Sequence, residues 1–319
     1  MHSPESTDLW QSASNYKISI KPYPLRFMKK FIIPPIHKYC TAILLAAASS
    51  SAEETQRIVT VGGAATEIVF ALGLGESVVA TDLSSIYPPK ARELPMVGYV
   101  RNVSPEGILS MEPDLVIATG AFGPPTARQT MEQLDVNTLW LPKLLSAEDL
   151  RGAINAIAEK LKKTAIAAEI IDNLDTQLED ASERAQQWSN RVPKVLFLLE
   201  PLGPATSGMG GGLNSKADAL IQLAGGQNAA HAFKGFKPVS AESLVSMNPD
   251  LILVGQSNNH RGNAQSIKAM MTSAALSGVN AIRHGAVHAV PLDDLAFGPR
   301  LGEAVLRWNT QIGKISKLD

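Results

Sequence analysis

A repeated segment constrains the fold of this chain more than any other feature of its sequence. Residues 104–120 read SPEGILSMEPDLVIATG, and residues 240–256 read SAESLVSMNPDLILVGQ. The two copies are identical at seven of 17 positions, and in each a serine precedes a short helical stretch, a Pro-Asp pair and an apolar run. This order is typical of a capped helix, a turn and a buried strand. The repeat therefore predicts two similar α/β lobes in one chain.

Short apolar runs alternate with helical stretches on both sides of the repeat. The predicted strands cover residues 57–61, 78–82, 115–119 and 138–142 in the first half, and 195–200, 251–255 and 287–291 in the second. This alternation favours mainly parallel sheets with helices on both faces. Residues 153–192, between the two halves, contain neither glycine nor proline. That stretch predicts one long helix, either continuous or broken once.

The first 52 residues have the order of an export signal. From Met28 the sequence has two lysines, an apolar run at 41–48 and small residues up to Ala52. This is the pattern of a secretory signal peptide, and its apolar run is too short to span a bilayer. We expect residues 28–52 to direct export to the periplasm, with Met28 as the true start and residues 1–27 as an extension. The only cysteine, Cys40, would be removed with the signal and has no lipid-attachment context.

The remaining chain is acidic and is predicted to have three parts. Residues 1–52 hold six of the 29 Lys and Arg and two of the 30 Asp and Glu, so the net charge without them is −5. The chain has no run of like charge, and this argues against a nucleic-acid partner. We predict an N-terminal α/β lobe at 57–145, a helical spine at 146–192 and a C-terminal α/β lobe at 193–319.

One loop presents a tyrosine on a stiff backbone. Residues 84–89 read SSIYPP. A residue before proline is restricted to extended geometry, and Pro88 itself has a fixed φ, so Tyr87 has few backbone alternatives. Taken alone, such a loop most often packs its tyrosine ring on the protein surface.

Four segments carry a resemblance to a known family. They read RIVTVGGAATEIVFALGLG, DLSSIYPPKARELPMVGYVRNVSPEGILSMEPDLVIA, GFKPVSAESLVSMNPDLIL and AFGPRLGEA, and they extend from residue 57 to residue 304. The chain is similar to the periplasmic haemin-binding proteins of haem ABC importers, the HmuT-like family. That resemblance implies the class III periplasmic binding protein fold, in which two Rossmann-like α/β lobes are joined by a long helical linker.

The resemblance also implies a function without catalysis. A member would bind haem b between its lobes as a monomer and deliver it to an inner-membrane ABC permease with its ATPase. Tyr87 matches the tyrosine that the family uses as the ligand of the haem iron. A phenolate suits ferric iron, as in catalase, so this chemistry agrees with the match.

Further site residues follow from the resemblance and from their surroundings. Lys237, in the segment GFKP, matches a basic residue that would bond the phenolate or pair with a haem propionate; alternatively it is a solvated surface lysine. We expect Tyr99 and Met209 to support haem binding, although Met209 could equally be a packed loop residue. The run at 208–212 is GMGGG, which we interpret as a flexible loop before a helix that starts near Ser215, because the phosphate-loop ending GK[ST] is missing.

Arg300 and the histidines receive no binding role. Arg300 follows a proline suited to a first helical turn, so we predict that it starts the C-terminal helix as a structural residue. The histidines outside the signal lie in no segment that matches the family, and we expect solvent-facing or core positions for them: His231, His260, His284 and His288.

Two glutamates occupy the same position in the two copies of the repeat. Glu106 and Glu242 each lie just inside a short predicted helix, where a negative charge is favoured by the helix dipole. The resemblance implies that they are acidic docking points for the permease.

Two other functions stay open: a ferric-siderophore or cobalamin carrier of the same class, and a metallocofactor enzyme. Against the enzyme, the chain after residue 52 has no cysteine, no HExxH motif and no nucleophile–base set.

Overall fold

The structure is a computed structural model, and it describes residues 56–188, 191–202, 207–256 and 263–317. The predicted signal peptide at 28–52 and His260 lie outside the described residues. Over the described ranges, no helix is both long and apolar enough to cross a membrane.

The N-terminal lobe is built on a parallel sheet of four strands. The strands are β1 (Ile58–Val61), β2 (Val78–Ala80), β5 (Leu115–Ala118) and β6 (Thr138–Trp140), in the order β2-β1-β5-β6. A small hairpin of β3 (Gly98–Tyr99) and β4 (Asn102–Val103) lies outside this sheet. The helices are α1 (Gly63–Ala71), α2 (Pro105–Leu109) and α3 (Pro125–Gln133), and a short 3₁₀ helix covers Pro89–Glu93.

Side chains of the central strands alternate between two cores, as expected for a sheet covered on both faces. Ile58, Leu115 and Ile117 point to a core shared with α1, whereas Val59 and Val116 point to a second core beneath α2 and α3. Because both faces of β1 and β5 are buried, these strands have continuous apolar sequences.

Two helices form the spine between the lobes. They are α4 (Ala147–Lys160) and α5 (Thr164–Gln186). The break at residues 161–163 contains Lys162 in the left-handed region, with φ 56°. The sequence has no glycine or proline here, yet the helix is interrupted once. The broken alternative of the long-helix prediction is therefore confirmed.

The C-terminal lobe has a mixed sheet rather than a purely parallel one. Its strands are β7 (Lys194–Leu198), β8 (Gly208–Gly211), β9 (Gln227–Asn228), β10 (Phe236–Val239), β11 (Leu251–Gln256) and β12 (Val287–Pro291). The order is β10-β8-β7-β11-β12, and β9 also pairs with β7. β8 runs antiparallel to β7 and β10, while β11 is parallel to β7 and β12. Its helices are α6 (Lys216–Leu223), α7 (Ala241–Met247), α8 (Asn263–Met271), α9 (Asn280–Arg283) and α10 (Leu301–Ile315).

The GMGGG segment corrects a prediction. It is not a flexible loop, because Gly208–Gly211 forms strand β8. Its glycines are required by close packing: a Cβ on Gly210 would lie 2.6 Å from a methyl group of Val239. The helix after it does begin where expected, with the hydroxyl of Ser215 accepting a hydrogen bond from the Asp218 backbone amide.

The two copies of the repeat have the same structure and occupy the same place in their lobes. Each forms a serine-capped helix and then a central strand, namely α2 and β5 in one lobe and α7 and β11 in the other. Asp114 accepts a hydrogen bond of 2.7 Å from the Arg57 amide, and Asp250 accepts one of 2.9 Å from the Lys194 amide. Each repeated aspartate thus fixes the start of the neighbouring strand, which explains why the Pro-Asp pair occurs in both copies.

Candidate ligand-binding cleft

The loop that carries Tyr87 is anchored by a buried carboxylate. Asp82, which is fully buried, accepts hydrogen bonds from the amides of Gly62 (2.7 Å) and Ser84 (2.9 Å). It also accepts from the hydroxyls of Ser84 (2.6 Å) and Ser85 (2.8 Å). These bonds join the loop to the turn between β1 and α1. The loop therefore has a fixed start two to five residues before Tyr87.

Further hydrogen bonds hold the loop on both sides of Tyr87. The Ser85 hydroxyl lies 2.6 Å from the Thr66 hydroxyl on α1. Behind the tyrosine, Arg92 donates a 2.7 Å hydrogen bond from its Nε to the carbonyl of Ile86. Tyr87 itself is partly exposed, so a rigid backbone presents an accessible phenol.

A cation from the other lobe lies on the Tyr87 ring. The guanidinium carbon of Arg300 is 3.6 Å from the ring centroid. The same guanidinium donates to both carboxylate oxygens of Glu67 on α1, at 2.9 and 3.2 Å, and to Asp293 at 3.2 Å. Arg300 does precede α10 as predicted. Its contact with Tyr87 was not predicted, and it connects the two lobes.

The Glu67–Arg300 pair is largely removed from water. The side chains of Glu67 and Arg300 are 4% and 22% exposed. Burial raises the pKa of Glu67, although the hydrogen bond and charge of Arg300 oppose this effect. Burial acts to lower the pKa of Arg300, but the hydrogen bond and charge of Glu67 outweigh it, and the net shift is upward. The two groups therefore depend on each other, because the charge of each offsets the cost of burying the other.

Exposed apolar side chains surround the Tyr87 loop. The exposed fractions are 56% for Leu83, 48% for Met96, 45% for Tyr99 and 38% for Tyr87. Their segments are neighbours, because the Leu83 amide donates to the Gly98 carbonyl at 2.9 Å and Thr81 pairs with Met96. Contiguous apolar patches on a protein surface are a feature of interaction sites and ligand-binding grooves. We call these four residues the tyrosine patch.

A cavity of about 820 Å³ lies between the lobes. The N-terminal lobe contributes Arg101, from the β3–β4 turn, and the segments that follow β5 and β6; the C-terminal lobe contributes the start of α6 and the segment before β10. The lining residues are Arg101, Thr119, Gly120, Ala121, Lys143, Leu144, Leu145, Asn214, Ser215, Lys216, Gly235 and Phe236. Tyr87 is not among them, since its loop follows β2 at the opposite edge of the sheet.

Lys216, at the start of α6, faces this cavity and the Glu67–Arg300 pair. Its ammonium donates to the Ala296 carbonyl at 2.8 Å. Burial lowers its pKa to about 8, the charge of Glu67 opposes this effect, and the charge of Arg101 adds to it. The ammonium is therefore protonated at neutral pH but poorly solvated.

Lys237 and Met209 lie on adjacent strands of the C-terminal lobe. Lys237 is exposed on β10, and Met209 is half-buried on β8, where it pairs with Pro238. Phe236, the residue before Lys237, lines the cavity. Lys237 and Tyr87 are both described residues, and no hydrogen bond joins them in this structure; the cation on Tyr87 is Arg300. The roles of Lys237 and Met209 stay predictions.

The three described histidines lie away from the cavity lining. His231 and His284 are exposed, and His288 is half-buried on β12. Burial, followed by the charge of Lys314, lowers the pKa of His288. Among the described residues there is no group of three or more His, Cys, Asp or Glu side chains placed to hold a metal ion.

The two repeated glutamates are exposed at equivalent positions. Glu106 lies in the first turn of α2, and Glu242 lies in the first turn of α7. The hydrogen bond from Ser240 lowers the pKa of Glu242. Each helix also exposes an aliphatic residue three positions later, Leu109 in one copy and Val245 in the other. The lobes therefore present matching acidic and apolar surfaces.

Comparison with known proteins identifies the family. A periplasmic binding protein family model matches residues 58–293. The chain belongs to the periplasmic binding protein family.

Solved structures of this family resemble the chain over most of its length. The heme-binding protein BhuT, in complex with two hemes, is 29% identical, with 82% of this chain and 99% of that chain covered and a TM-score of 0.74. The heme-binding protein RhuT from Roseiflexus sp. RS-1, in its apo form, is 31% identical, with coverage of 82% and 100% and a TM-score of 0.72. A curated relative, the vitamin B12-binding protein of Vibrio cholerae, is 27% identical over 202 residues, which are 63% of this chain and 71% of that protein.

Sequence reasoning missed the residues that contact Tyr87 across the family's interlobe cleft. One signal for them was present: Glu67 is the only charged residue of α1, whose sequence is GAATEIVFA. A carboxylate in an apolar helix requires a cationic partner when it is buried. The sequence does not say which of the distant arginines provides that partner.

Proposed function

We propose that this protein is a periplasmic carrier that binds haem between its lobes, with the iron on Tyr87, and delivers it to an ABC permease and its ATPase. The observation that carries the proposal is the tyrosine patch: an accessible phenol on an anchored loop, surrounded by exposed Leu83, Met96 and Tyr99. The similarity to heme-binding proteins at 29 to 31% identity supports it. As a carrier, the protein performs no catalysis.

The chemistry of the patch fits haem b as the transported ligand. A phenolate oxygen is a suitable axial ligand for ferric haem, and the porphyrin needs apolar surface of the kind that Leu83 and Met96 expose. Free tyrosine has a pKa of about 10, so the phenolate form needs nearby positive charge. The iron supplies most of this charge, and the guanidinium of Arg300 adds to it from the ring face. Lys237 and Met209, on the opposite lobe, would contact the bound haem from the other side.

The proposed permease contacts are Glu106 and Glu242. They are exposed, one on each lobe, at matching positions of the repeat. Complementary charges on a docking surface set orientation and encounter rate. A pair of equivalent acidic points on two lobes fits a partner with two-fold symmetric basic groups. We further propose that residues 28–52 direct export and that the protein then carries haem through the periplasm as a monomer.

Cobalamin is the second candidate ligand. It is favoured by the identity of 27% to the vitamin B12-binding protein of Vibrio cholerae. Cobalamin is bulkier than haem, and it carries amides and one phosphodiester where haem carries carboxylates.

Two titrations of the protein from residue 53 onward separate the candidates. Hemin is expected to give a saturable Soret band with a ferric tyrosinate signature, and cyanocobalamin is expected to give no saturable change in calorimetry. Tight cyanocobalamin binding without a saturable Soret band would overturn the haem assignment.

A further inference from the structure

Three cations face the interlobe cavity without a carboxylate partner. Arg101, Lys143 and Lys216 all line it. Within residues 56–188, 191–202, 207–256 and 263–317, no carboxylate lies within ion-pair distance of any of the three. By contrast, Glu67 is engaged in two hydrogen bonds with Arg300. The cavity therefore contains uncompensated positive charge.

The three cations come from separate elements and from both lobes. Arg101 lies in the β3–β4 turn, Lys143 follows β6, and Lys216 is the first residue of α6 in the C-terminal lobe. Arg101 is close enough to depress the pKa of Lys216 by charge repulsion. Bringing like charges together in a partly enclosed space costs free energy unless an anion joins them.

The same cavity is apolar between its cations. Leu144, Leu145, Ala121 and Phe236 provide much of its lining. A volume of about 820 Å³ lies in the usual range for sites that hold a small-molecule ligand. The combination fits a ligand with a large apolar body and more than one negative group.

The strand order places Tyr87 and this cavity at different positions across the N-terminal sheet. Tyr87 follows β2, while the cavity is lined by segments that follow β5 and β6 in the order β2-β1-β5-β6. Neighbouring strands are about 4.8 Å apart, so the points at which these segments leave the sheet are about 10 to 15 Å apart. A macrocycle with a metal at its centre and carboxylates at its rim has its charged groups separated in this way.

We propose that Arg101, Lys143 and Lys216 form a carboxylate-binding end of the cleft, which takes the propionate groups of the haem whose iron is held by Tyr87. This inference rests on the proposed haem-carrier function and specifies the other half of its site. The C-terminal lobe contributes Lys216 and the N-terminal lobe contributes Arg101 and Lys143, so the two propionates would also draw the lobes together.

Three porphyrins test the assignment. Hemin has both iron and carboxylates, hemin dimethyl ester keeps the iron but has neutral esters, and protoporphyrin IX keeps the carboxylates but lacks iron. The variants are Arg101→Gln, Lys143→Gln and Lys216→Met, with Lys268→Gln as a control that removes an exposed positive charge on α8. Affinities are measured by Soret absorbance for the two hemins and by fluorescence for protoporphyrin IX.

Each cavity variant is expected to weaken binding of hemin and protoporphyrin IX by about 10-fold or more, as for loss of a charge-assisted hydrogen bond. Binding of the dimethyl ester should change by less than about 2-fold, and Lys268→Gln should behave as wild type. Equal losses for hemin and its ester, or no loss for hemin, would overturn the inference while leaving the haem-carrier function intact. If wild type gives no saturable hemin binding at all, the proposed function itself fails.

A free polycarboxylate is the competing ligand for these three cations. Calorimetry with citrate distinguishes it from the haem propionates. The inference expects no citrate binding at concentrations that leave hemin bound. Citrate binding that is lost in Arg101→Gln and Lys143→Gln, together with equal affinity of wild type for hemin and its ester, would assign the cavity to a free polycarboxylate instead.

Discussion

Arg300 in the C-terminal lobe lies with its guanidinium carbon 3.6 Å from the centre of the Tyr87 ring in the N-terminal lobe. The arginine is held in that position by Glu67 and Asp293, so the contact does not depend on the tyrosine alone. A cation placed on an aromatic face is attracted to it by about 0.5–2 kcal/mol. One face of the ring is thereby covered, and the phenol is restricted to a narrow range of orientations towards a ligand.

We expect replacement of Arg300 to make the orientation of the Tyr87 ring less restricted while Tyr87 stays available as a ligand. We expect Arg300→Gln to speed hemin release by about 3- to 30-fold, as estimated from the loss of the cation–π contact, and to broaden the electron paramagnetic resonance signal of the ferric tyrosinate centre. Arg300→Lys should restore part of the affinity because the charge is retained. The matched control is Arg307→Gln, which breaks another ion pair, with buried Asp294, that does not involve Tyr87. Equal effects of the Arg300 and Arg307 replacements on the spectrum would contradict a positioning role.

The two partners of the Glu67–Arg300 pair should respond unequally to mutation. Arg300→Ala leaves a buried carboxylate without its main partner, and breaking a buried pair in this way costs about 3 kcal/mol of unfolding free energy. Glu67→Gln removes the group whose burial is costly and leaves Arg300 its bond to Asp293, so we expect a loss below about 1.5 kcal/mol. Urea unfolding of both variants measures the difference. A larger loss for Glu67→Gln would show that the carboxylate itself stabilises the fold.

Tyr87 and Tyr99 provide a matched comparison within the tyrosine patch. Tyr87→Phe should abolish the ferric tyrosinate spectrum and lower hemin affinity by at least about 100-fold, while protoporphyrin IX affinity stays within about 3-fold because no iron is present. Tyr99→Phe should leave the spectrum unchanged and weaken both porphyrins only slightly. An unaltered hemin spectrum in Tyr87→Phe would assign the iron to another ligand.

Protoporphyrin IX should bind less tightly as the pH rises through 8. Burial lowers the pKa of Lys216 to about 8, so the ammonium that attracts a carboxylate is progressively lost above that value. For one titrating group the affinity falls by up to about 10-fold between pH 7 and pH 9. The other charged groups that face Lys216 are Arg101 and Lys143, which also line the cavity, and Glu67, whose charge acts on the lysine. Fluorescence titrations should show the fall in wild type and its disappearance in Lys216→Met; a pH-independent affinity in wild type would place Lys216 outside the binding site.

Docking should depend on the repeated glutamates. The double variant Glu106→Ala with Glu242→Ala is expected to bind hemin as wild type does, because both residues lie outside the cleft lining, but to deliver it at least several-fold more slowly to the permease in reconstituted vesicles. The control is Glu169→Ala with Glu183→Ala, which removes two exposed carboxylates from the spine helix. Transport at the wild-type rate by the first double variant would leave Glu106 and Glu242 as helix-end charges alone.

The local pattern of the sequence was sufficient to predict most strands and the two-lobed fold. Ile58 and Leu115 lie in runs of four buried residues, which short-range hydrophobic patterning predicts directly. Strand β8 was missed, because GMGGG has almost no side chains from which to infer a strand. Glycine is required at position 210 because a Cβ there would lie 2.6 Å from a methyl group of Val239, which is far away in the sequence.

The candidate site shows a similar division. Tyr87 was singled out by its proline-restricted loop, which can be read from the sequence, and its proposed ligand role came from the resemblance to the haemin-binding family. Arg300 was assigned to a helix start, since its proline predicts that much, whereas its contact with Tyr87 depends on how two lobes meet. Arg300 and Tyr87 are 213 positions apart in the sequence, and contacts between such distant residues are determined by tertiary packing.

The long spine helix has a mechanical consequence. The Asn309 amide on α10 donates to the carbonyls of Ala181 on α5 and Ala224 at the end of α6, at 2.8 and 3.3 Å, so α5 is fastened to the C-terminal lobe. Its 23 residues extend for about 35 Å at 1.5 Å per residue. The junction at residues 161–163 is short, so a rotation there would turn α5 as one rigid rod. Such a rotation would displace the far end of α5 most, and with it the C-terminal lobe to which α5 is fastened.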